Sequence, residues 1–113
     1  MSLGTVQTQA FNSEVVKAVN VEKSKLFSSL TNKSVTYKNR VIIPPMCIYS
    51  STDGFFNEFH LAHYASFAFK GVTTIIIEAT AVEPRDRISP HDVDLWSDEH
   101  IAPLKRIVDL IRS

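Results

Sequence analysis

The stretch NRVIIPPMCIYSS, residues 39–51, starts as a buried strand and then abandons that pattern. Val41, Ile42 and Ile43 form a continuous apolar run, as expected of a parallel strand covered on both faces. Two prolines, Pro44 and Pro45, follow at once, and then come Met46, the single thiol Cys47, the phenol Tyr49, and the hydroxyls of Ser50 and Ser51. The prolines remove backbone donors and fix φ, so the chain leaves the sheet stiffly and in one direction. Stiffness suits a segment that must hold Met46, Cys47 and Tyr49 against a flat ligand. Methionine and cysteine offer polarizable contacts to an aromatic ring system, and tyrosine offers a hydrogen bond on a rigid arm.

Outward from this stretch the pattern is regular. NEFHLAHYASFAFKG, residues 57–71, is rich in alanine and leucine and ends in Lys70-Gly71, with glycine a natural residue past a helix C-terminus. TTIIIEATAV, residues 73–82, reads as a second strand apolar on both faces, and Glu78-Ala79-Thr80-Ala81 places small side chains at its carboxyl end. EPRDRISPHDVDLW, residues 83–96, is predicted to be a long loop, with the charges of its EPRDR part solvated. It leads to an amphipathic helix with Ser97 as N-cap and Asp98 and Glu99 in the positive first turn. Ile101, Leu104, Ile107, Val108 and Ile111 line one face of that helix, and Lys105, Arg106, Asp109 and Arg112 the other. Pro103 fits poorly inside it, which moves its regular part toward Ala102.

Strand, helix, strand, helix is a βαβα order, and parallel strands joined by a crossover helix need further strands beside them. The predicted class is α/β: a partial (β/α)8 TIM barrel, with an N-terminal hairpin and the first two βα units of a fold of about 250 residues. The reading is of the opening of a larger fold. In such barrels functional groups sit at the carboxyl ends of the strands, which here carry PPMCIYSS and EATAV.

Upstream, KLFSSLTNKSVTYKNR has two short apolar pieces around Thr31-Asn32-Lys33-Ser34, a run of turn formers that predicts a small hairpin. Residues 1–25 are expected to be a flexible extension, with SEVVKAVN able to form a turn or two of helix, and residues 26–113 the incomplete barrel domain. The first residues have neither the basic and apolar regions of a secretory signal nor an arginine before Arg40. No apolar run approaches the roughly 20 residues of a membrane helix. With 113 residues, 44% hydrophobic and 21% charged, the composition is that of one small globular domain. Twelve basic residues balance twelve acidic ones, so nothing favours nucleic acid or an anionic membrane as partner. One cysteine rules out an intrachain disulfide and suits a reducing compartment, which makes the expected location cytoplasmic.

In order along the chain, YKNR, PPMCIYSS, FHLAHY, IIIEATAV, RIS and LWSDEHI resemble the N-terminal part of the Old Yellow Enzyme family, in its bacterial or thermophilic-like branch. The resemblance runs from about Leu26 to the end. It implies a (β/α)8 barrel that binds FMN at its mouth, takes a hydride from NAD(P)H as co-substrate, and passes it to an activated alkene such as an enone. It also implies that Pro44, Pro45, Met46 and Cys47 border the flavin ring system, with Cys47 tuning its potential. Tyr49 would face the substrate and Ala79 would contact the flavin from the second strand. A homo-oligomer is compatible with this family.

Departures accompany the matches. Ser, Thr or Ala is usual where Pro44 stands, so a hydroxyl contact to the flavin is lost. Where the family tends to carry glycine this chain has Thr73 or Thr74, Asp86 and Asp94, and a side chain at a position of positive φ would be costly. The family's flavin-binding glutamine, its substrate-gripping histidine pair or histidine and asparagine, its arginine against the flavin and its phosphate-binding loops all lie downstream of residue 113.

Simpler roles are expected elsewhere. His60 and His63, three apart on a helix, lack a third ligand for a metal, so no metal site is predicted, and they are assigned to capping and packing beside Tyr64. Phe55, Phe56, Phe59, Phe67 and Phe69 read as core, and His91 and His100 as solvated. Two functions stay open: an FMN-dependent oxidoreductase present as a fragment inactive alone, or a non-catalytic truncated or relic product with at most a role in association. Strands with open edges consume the about 5–15 kcal/mol of net stability that a domain retains, and they invite aggregation.

Overall fold

A computed structural model describes residues 24–113, so the expectations for the N-terminal extension lie outside the described residues, apart from Ser24 and Lys25. The chain divides into two units, one ending at Arg40 and one running Val41–Ser113. In the first, a 3-10 turn at Lys25–Phe27 precedes an antiparallel hairpin of β1 (Leu30–Asn32) and β2 (Val35–Tyr37). Lys33 takes φ 54 in its two-residue loop, the left-handed geometry that tight hairpin loops demand. Thr31 and Thr36 face each other and share a hydroxyl hydrogen bond of 3.0 Å.

The second unit carries the βαβα order. Strand β3 (Ile42–Ile43) pairs in parallel with β4 (Thr74–Ile75), Ile42 opposite Thr74 and Ile43 opposite Ile75. Helix α1 (Glu58–Phe69) crosses between them. The predicted second strand is interrupted after β4 and resumes as β5 (Thr80–Ala81), which pairs in parallel with β6 (Val93–Asp94). The described residues thus contain three two-stranded sheets and no closed barrel. Strand β6 lies in the segment predicted to be loop. A 3-10 turn, Asp98–His100, then runs into helix α2 (Ile101–Arg112), and Pro103 sits in the first turn of α2, where its missing N–H costs nothing.

Both helices start in the same way. Asn57 caps α1, its side-chain oxygen accepting from Phe59 N at 3.0 Å and His60 N at 3.3 Å, while Asn57 N donates back to His60 Nδ1 at 3.3 Å. Ser97 N donates to His100 Nδ1, also at 3.3 Å. Histidine three residues past the cap does the work usually assigned to glutamate or glutamine. His100 is therefore buried, packed between Phe55 and Trp96, and not solvated as expected; His91 is exposed as expected. At the other end of α1, Gly71 takes φ 83 past Lys70.

The core gathers Phe56, Tyr64, Val93 and Ile107, with Leu61, Ile75, Ile77, Leu104 and Ile111 packed around it. Burying a side chain such as Ile107 or Val93 contributes about 1.5–3 kcal/mol. Ile42 and Ile76 remain nearly half exposed, so one face of the β3–β4 pair is covered and the other is open. The five phenylalanines do not all join the core: Phe56 is buried, but Phe59 and Phe69 are 62% and 93% exposed, because α1 is apolar on several faces and only one meets the sheet. Helix α2 follows its predicted pattern more closely, although Ile101 is half exposed.

The positions where the family tends to carry glycine hold no positive φ here. Thr73, Thr74, Asp86 and Asp94 all avoid it, whereas Lys33, Tyr49, Asp53, Gly54 and Gly71 adopt it. Asp53 and Gly54, at φ 52 and 81, are the centre of a tight turn closed by Phe55 N donating to Thr52 O at 3.1 Å. A Cβ on Gly54 would meet Asp94 Oδ2 at 1.9 Å, while one on Gly71 would meet nothing within 4 Å. Gly71→Ala is expected to cost about 1 kcal/mol of left-handed strain. Gly54→Ala adds overpacking of about 1–3 kcal/mol to the same strain, so urea unfolding should rank it clearly below Gly71→Ala.

Candidate functional site

Parallel pairing of β3 and β4 sends both chains out at the same edge. Ile76 N donates to Ile43 O at 3.0 Å, extending the ladder one step toward that edge. Beyond it lie Pro44, Pro45, Met46, Cys47 and Tyr49 from the first strand and Ala79 from the second. Pro44, Pro45 and Ala79 are exposed, Met46 is 46% and Tyr49 45% exposed, and Cys47 is half-buried. Apolar and soft groups of this kind are able to lie against an aromatic ring. Tyr49 holds φ 49, unfavourable for a side chain of its size. The neighbouring Cys47, then burial, with Asp92 and Glu78 close by, push the Tyr49 phenol above its ordinary range, so it stays protonated as a donor.

Beneath this edge lies a buried polar cluster that sequence reading missed. Glu78 is 3% exposed. Its Oε2 accepts from Ile48 N at 3.1 Å and its Oε1 from the Tyr64 hydroxyl at 2.8 Å, while Glu78 N donates to the same hydroxyl at 3.2 Å. His60 Nε2, buried and with no hydrogen-bond partner, stands 3.8 Å from Glu78 Oε1. Burial pushes the Tyr64 phenol far above its usual range. Burial also lowers the His60 imidazole, against the pull of Glu78, so the neutral ring is the folded form. The one sequence signal was an acid directly after three isoleucines; such a residue is rarely buried without partners.

A second network fastens the loops. Segment 51–54 lies along 91–94: Ser51 N donates to His91 O at 3.0 Å, the Ser51 hydroxyl to Asp92 O, and Asp94 N to Gly54 O at 2.8 Å. Leu95 N donates to Ala81 O at 2.8 Å on the other side. The Asp92 carboxylate accepts from Ile88 N at 2.8 Å and from the Ser89 hydroxyl at 2.8 Å. Arg87, expected in a solvated run, instead makes a forked ion pair with the fully buried Asp94, which also accepts from Trp96 Nε1 at 3.1 Å. Burial alone would raise the Asp94 carboxyl, but the hydrogen bonds from Arg87 and Trp96 outweigh it and hold it below the usual range. Arg85 and Glu83, by contrast, pair on the surface as expected of that loop.

Among the described residues no group of three or more His, Cys, Asp or Glu is placed to hold a metal, and His60 and His63 serve α1. His63 packs edge-on against Tyr64 and Phe67. No helix of the described residues is long and apolar enough to cross a membrane.

The His60 ring makes stability depend on pH. Its ordinary value is 6.5 and its folded value is lower. The contribution is complete above about pH 6.5 and is lost as pH falls toward the folded value, where the unfolded chain binds the extra proton. The unfolding midpoint should fall between about pH 7 and pH 5. His60→Gln, which keeps an acceptor for Asn57 N, should flatten that slope in pH-dependent thermal melts.

The NADH:flavin oxidoreductase / NADH oxidase family matches residues 25–113. A NADPH dehydrogenase of Halalkalibacterium halodurans is 52% identical over 91 residues, covering 79% of this chain and 27% of the relative. One from Listeria monocytogenes is 51% identical over 88 residues, covering 76% and 26%. Morphinone reductase, solved in complex with tetrahydroNAD, superposes with a TM-score of 0.71 at 27% identity, covering 80% of this chain and 24% of that one. The old yellow enzyme of Trypanosoma cruzi superposes with a TM-score of 0.68 at 28% identity, covering 78% and 24%. The chain spans about a quarter of the length of these relatives. It belongs to the NADH:flavin oxidoreductase / NADH oxidase family.

Proposed function

We propose that this chain forms the first two βα units of an FMN-dependent NAD(P)H oxidoreductase of ene-reductase type, and that it is inactive without the remaining units. The observation that carries the reading is the parallel pairing of β3 and β4, after which the two chains continue into Met46, Cys47 and Tyr49 on one side and Ala79 on the other. Pro44, Pro45, Met46 and Cys47 would border the flavin from one strand and Ala79 from the other. Bound FMN would supply the hydride chemistry, accepting from NAD(P)H and delivering to an activated alkene such as an enone.

The residues fit such a group. A planar ring needs a stiff, partly apolar surface, and two prolines followed by a thioether and a thiol provide one. Small Ala79 admits close approach of the ring to the backbone. Tyr49, held protonated, would donate a hydrogen bond toward a substrate oxygen. The tetrahydroNAD complex of morphinone reductase supports a nicotinamide co-substrate.

The open face at Ile42 and Ile76 supports the partial barrel, since two exposed isoleucines on one side of a strand pair suit the lining of a closed sheet. The family match and the shared strand edge favour this reading over a non-catalytic relic, whose residues would have no reason to keep that arrangement.

The test is a chimera in which this chain replaces the matching segment of the Halalkalibacterium halodurans enzyme. It should purify yellow with stoichiometric FMN and oxidise NADPH in the presence of an enone, while the 113-residue chain alone shows neither property. A folded chimera that stays colourless would overturn the assignment.

A further inference from the structure

We propose that Glu78 is a positioning residue, whose buried carboxylate ties the Cys47–Tyr49 segment to helix α1 and so sets the side chains presented at the strand ends. The inference rests on the proposed function for its purpose, but its geometry stands without any ligand. The two oxygens of Glu78 serve different elements: Oε2 takes the Ile48 N–H at 3.1 Å, and Oε1 takes the Tyr64 hydroxyl at 2.8 Å. Tyr64 in turn accepts from Glu78 N at 3.2 Å, fixing the backbone of Glu78 as well as its carboxylate. Both residues are almost wholly buried. A continuous path therefore runs from α1 through Tyr64 and Glu78 to Ile48, the residue between Cys47 and Tyr49.

Two features argue that orientation, and not core stability alone, is what this path provides. Ile48 lies in a segment whose neighbours Met46 and Tyr49 are nearly half exposed, so the bond adds little to the packed core. Tyr49 holds a left-handed backbone that a bulky residue leaves unless its surroundings impose it. Its flanks are pinned on both sides. Ile48 N is held by Glu78, the Ser50 hydroxyl donates to Ile48 O at 3.0 Å, and Asn57 Nδ2 donates to Ser50 O at 2.7 Å. The Glu78 bond reaches this segment from the stretch that follows β4, so Glu78 links the Ala79 side of the site to the Cys47 side.

The experiment compares Glu78→Ala, Glu78→Gln and Tyr64→Phe in the flavin-free chain. It reads amide exchange at Ile48 and Ile107 by NMR, and the rate of Cys47 alkylation by iodoacetamide. Glu78→Ala should speed Ile48 exchange by at least about tenfold, since the amide loses its acceptor. Cys47 alkylation should change several-fold, while Ile107 in α2 keeps its protection. Tyr64→Phe should produce a smaller change of the same kind, and Glu78→Gln, which keeps an acceptor oxygen, should restore most of it. Should Glu78→Ala not fold, Tyr64→Phe and Glu78→Gln decide by the same contrast between Ile48 and Ile107. Wild-type rates at both Ile48 and Cys47, or equal acceleration at Ile107, would overturn the proposal. No step reads flavin, so a failure to bind FMN counts against the proposed function and leaves this result intact.

Discussion

A buried carboxylate under the strand ends, Glu78, joins the segment after β3 to helix α1. An ionisable group taken out of water needs its hydrogen bonds made inside, and an unmade one costs more than an ordinary bond contributes. Glu78 meets that demand from two directions, the Ile48 amide and the Tyr64 hydroxyl. Neither donor is available unless β3 and β4 lie side by side and α1 packs over them, because the donors come from residues 30 and 14 positions away. Strand register, helix placement and the course of the chain past Pro45 thus all bear on whether that demand is met. His60 stands behind the same carboxylate in its neutral form, so it adds a dipole to the cluster without a second charge.

The two helix starts repeat one solution. Asn57 with His60, and Ser97 with His100, each use an imidazole Nδ1 to accept the cap residue's own N–H. In both cases Nε2 is left buried without a partner. The arrangement anchors each helix where it leaves a loop, and these are the loops that β6 and the Arg87–Asp94 pair hold in place. A surface pair such as Arg106 and Glu58, exposed on both sides, adds little by comparison. Rigidity at this end of the unit thus comes from buried polar bonds, and the apolar core beneath sets where the helices lie.

Much of this was legible in the sequence, and the exceptions have physical causes. Both strands announced themselves as runs of valine and isoleucine, α1 by its alanine- and leucine-rich run and the glycine after Lys70, and α2 by its amphipathic pattern. The hairpin followed from the turn formers Thr31-Asn32-Lys33-Ser34. Strand β6 was hidden because its buried residues include Asp94 and are preceded by Asp92, acids that read as loop until Arg87 and the Ser89 backbone are seen to neutralise or bind them. His100 was missed because the capping signal is usually sought in glutamate or glutamine. The glycine expectations failed at Asp86 and Asp94 because neither backbone is left-handed, and the strained positions are Tyr49 and Asp53 instead. Within the site, PPMCIYSS identified the groups at the strand end, but the residue beneath them was out of reach. Glu78 reveals its role only through partners far away in the chain.

The course of the chain past β3 depends on the Ile48 amide finding Glu78. The most direct measurement is a long-range HNCO experiment that detects scalar coupling across hydrogen bonds. A cross-peak should connect the Ile48 amide nitrogen to the Glu78 side-chain carboxyl carbon, beside one connecting Ile76 N to the Ile43 carbonyl. An Ile48 amide with a random-coil shift and no such peak, while the Ile76 coupling is intact, would show that the strands pair without the carboxylate latch and would contradict the account.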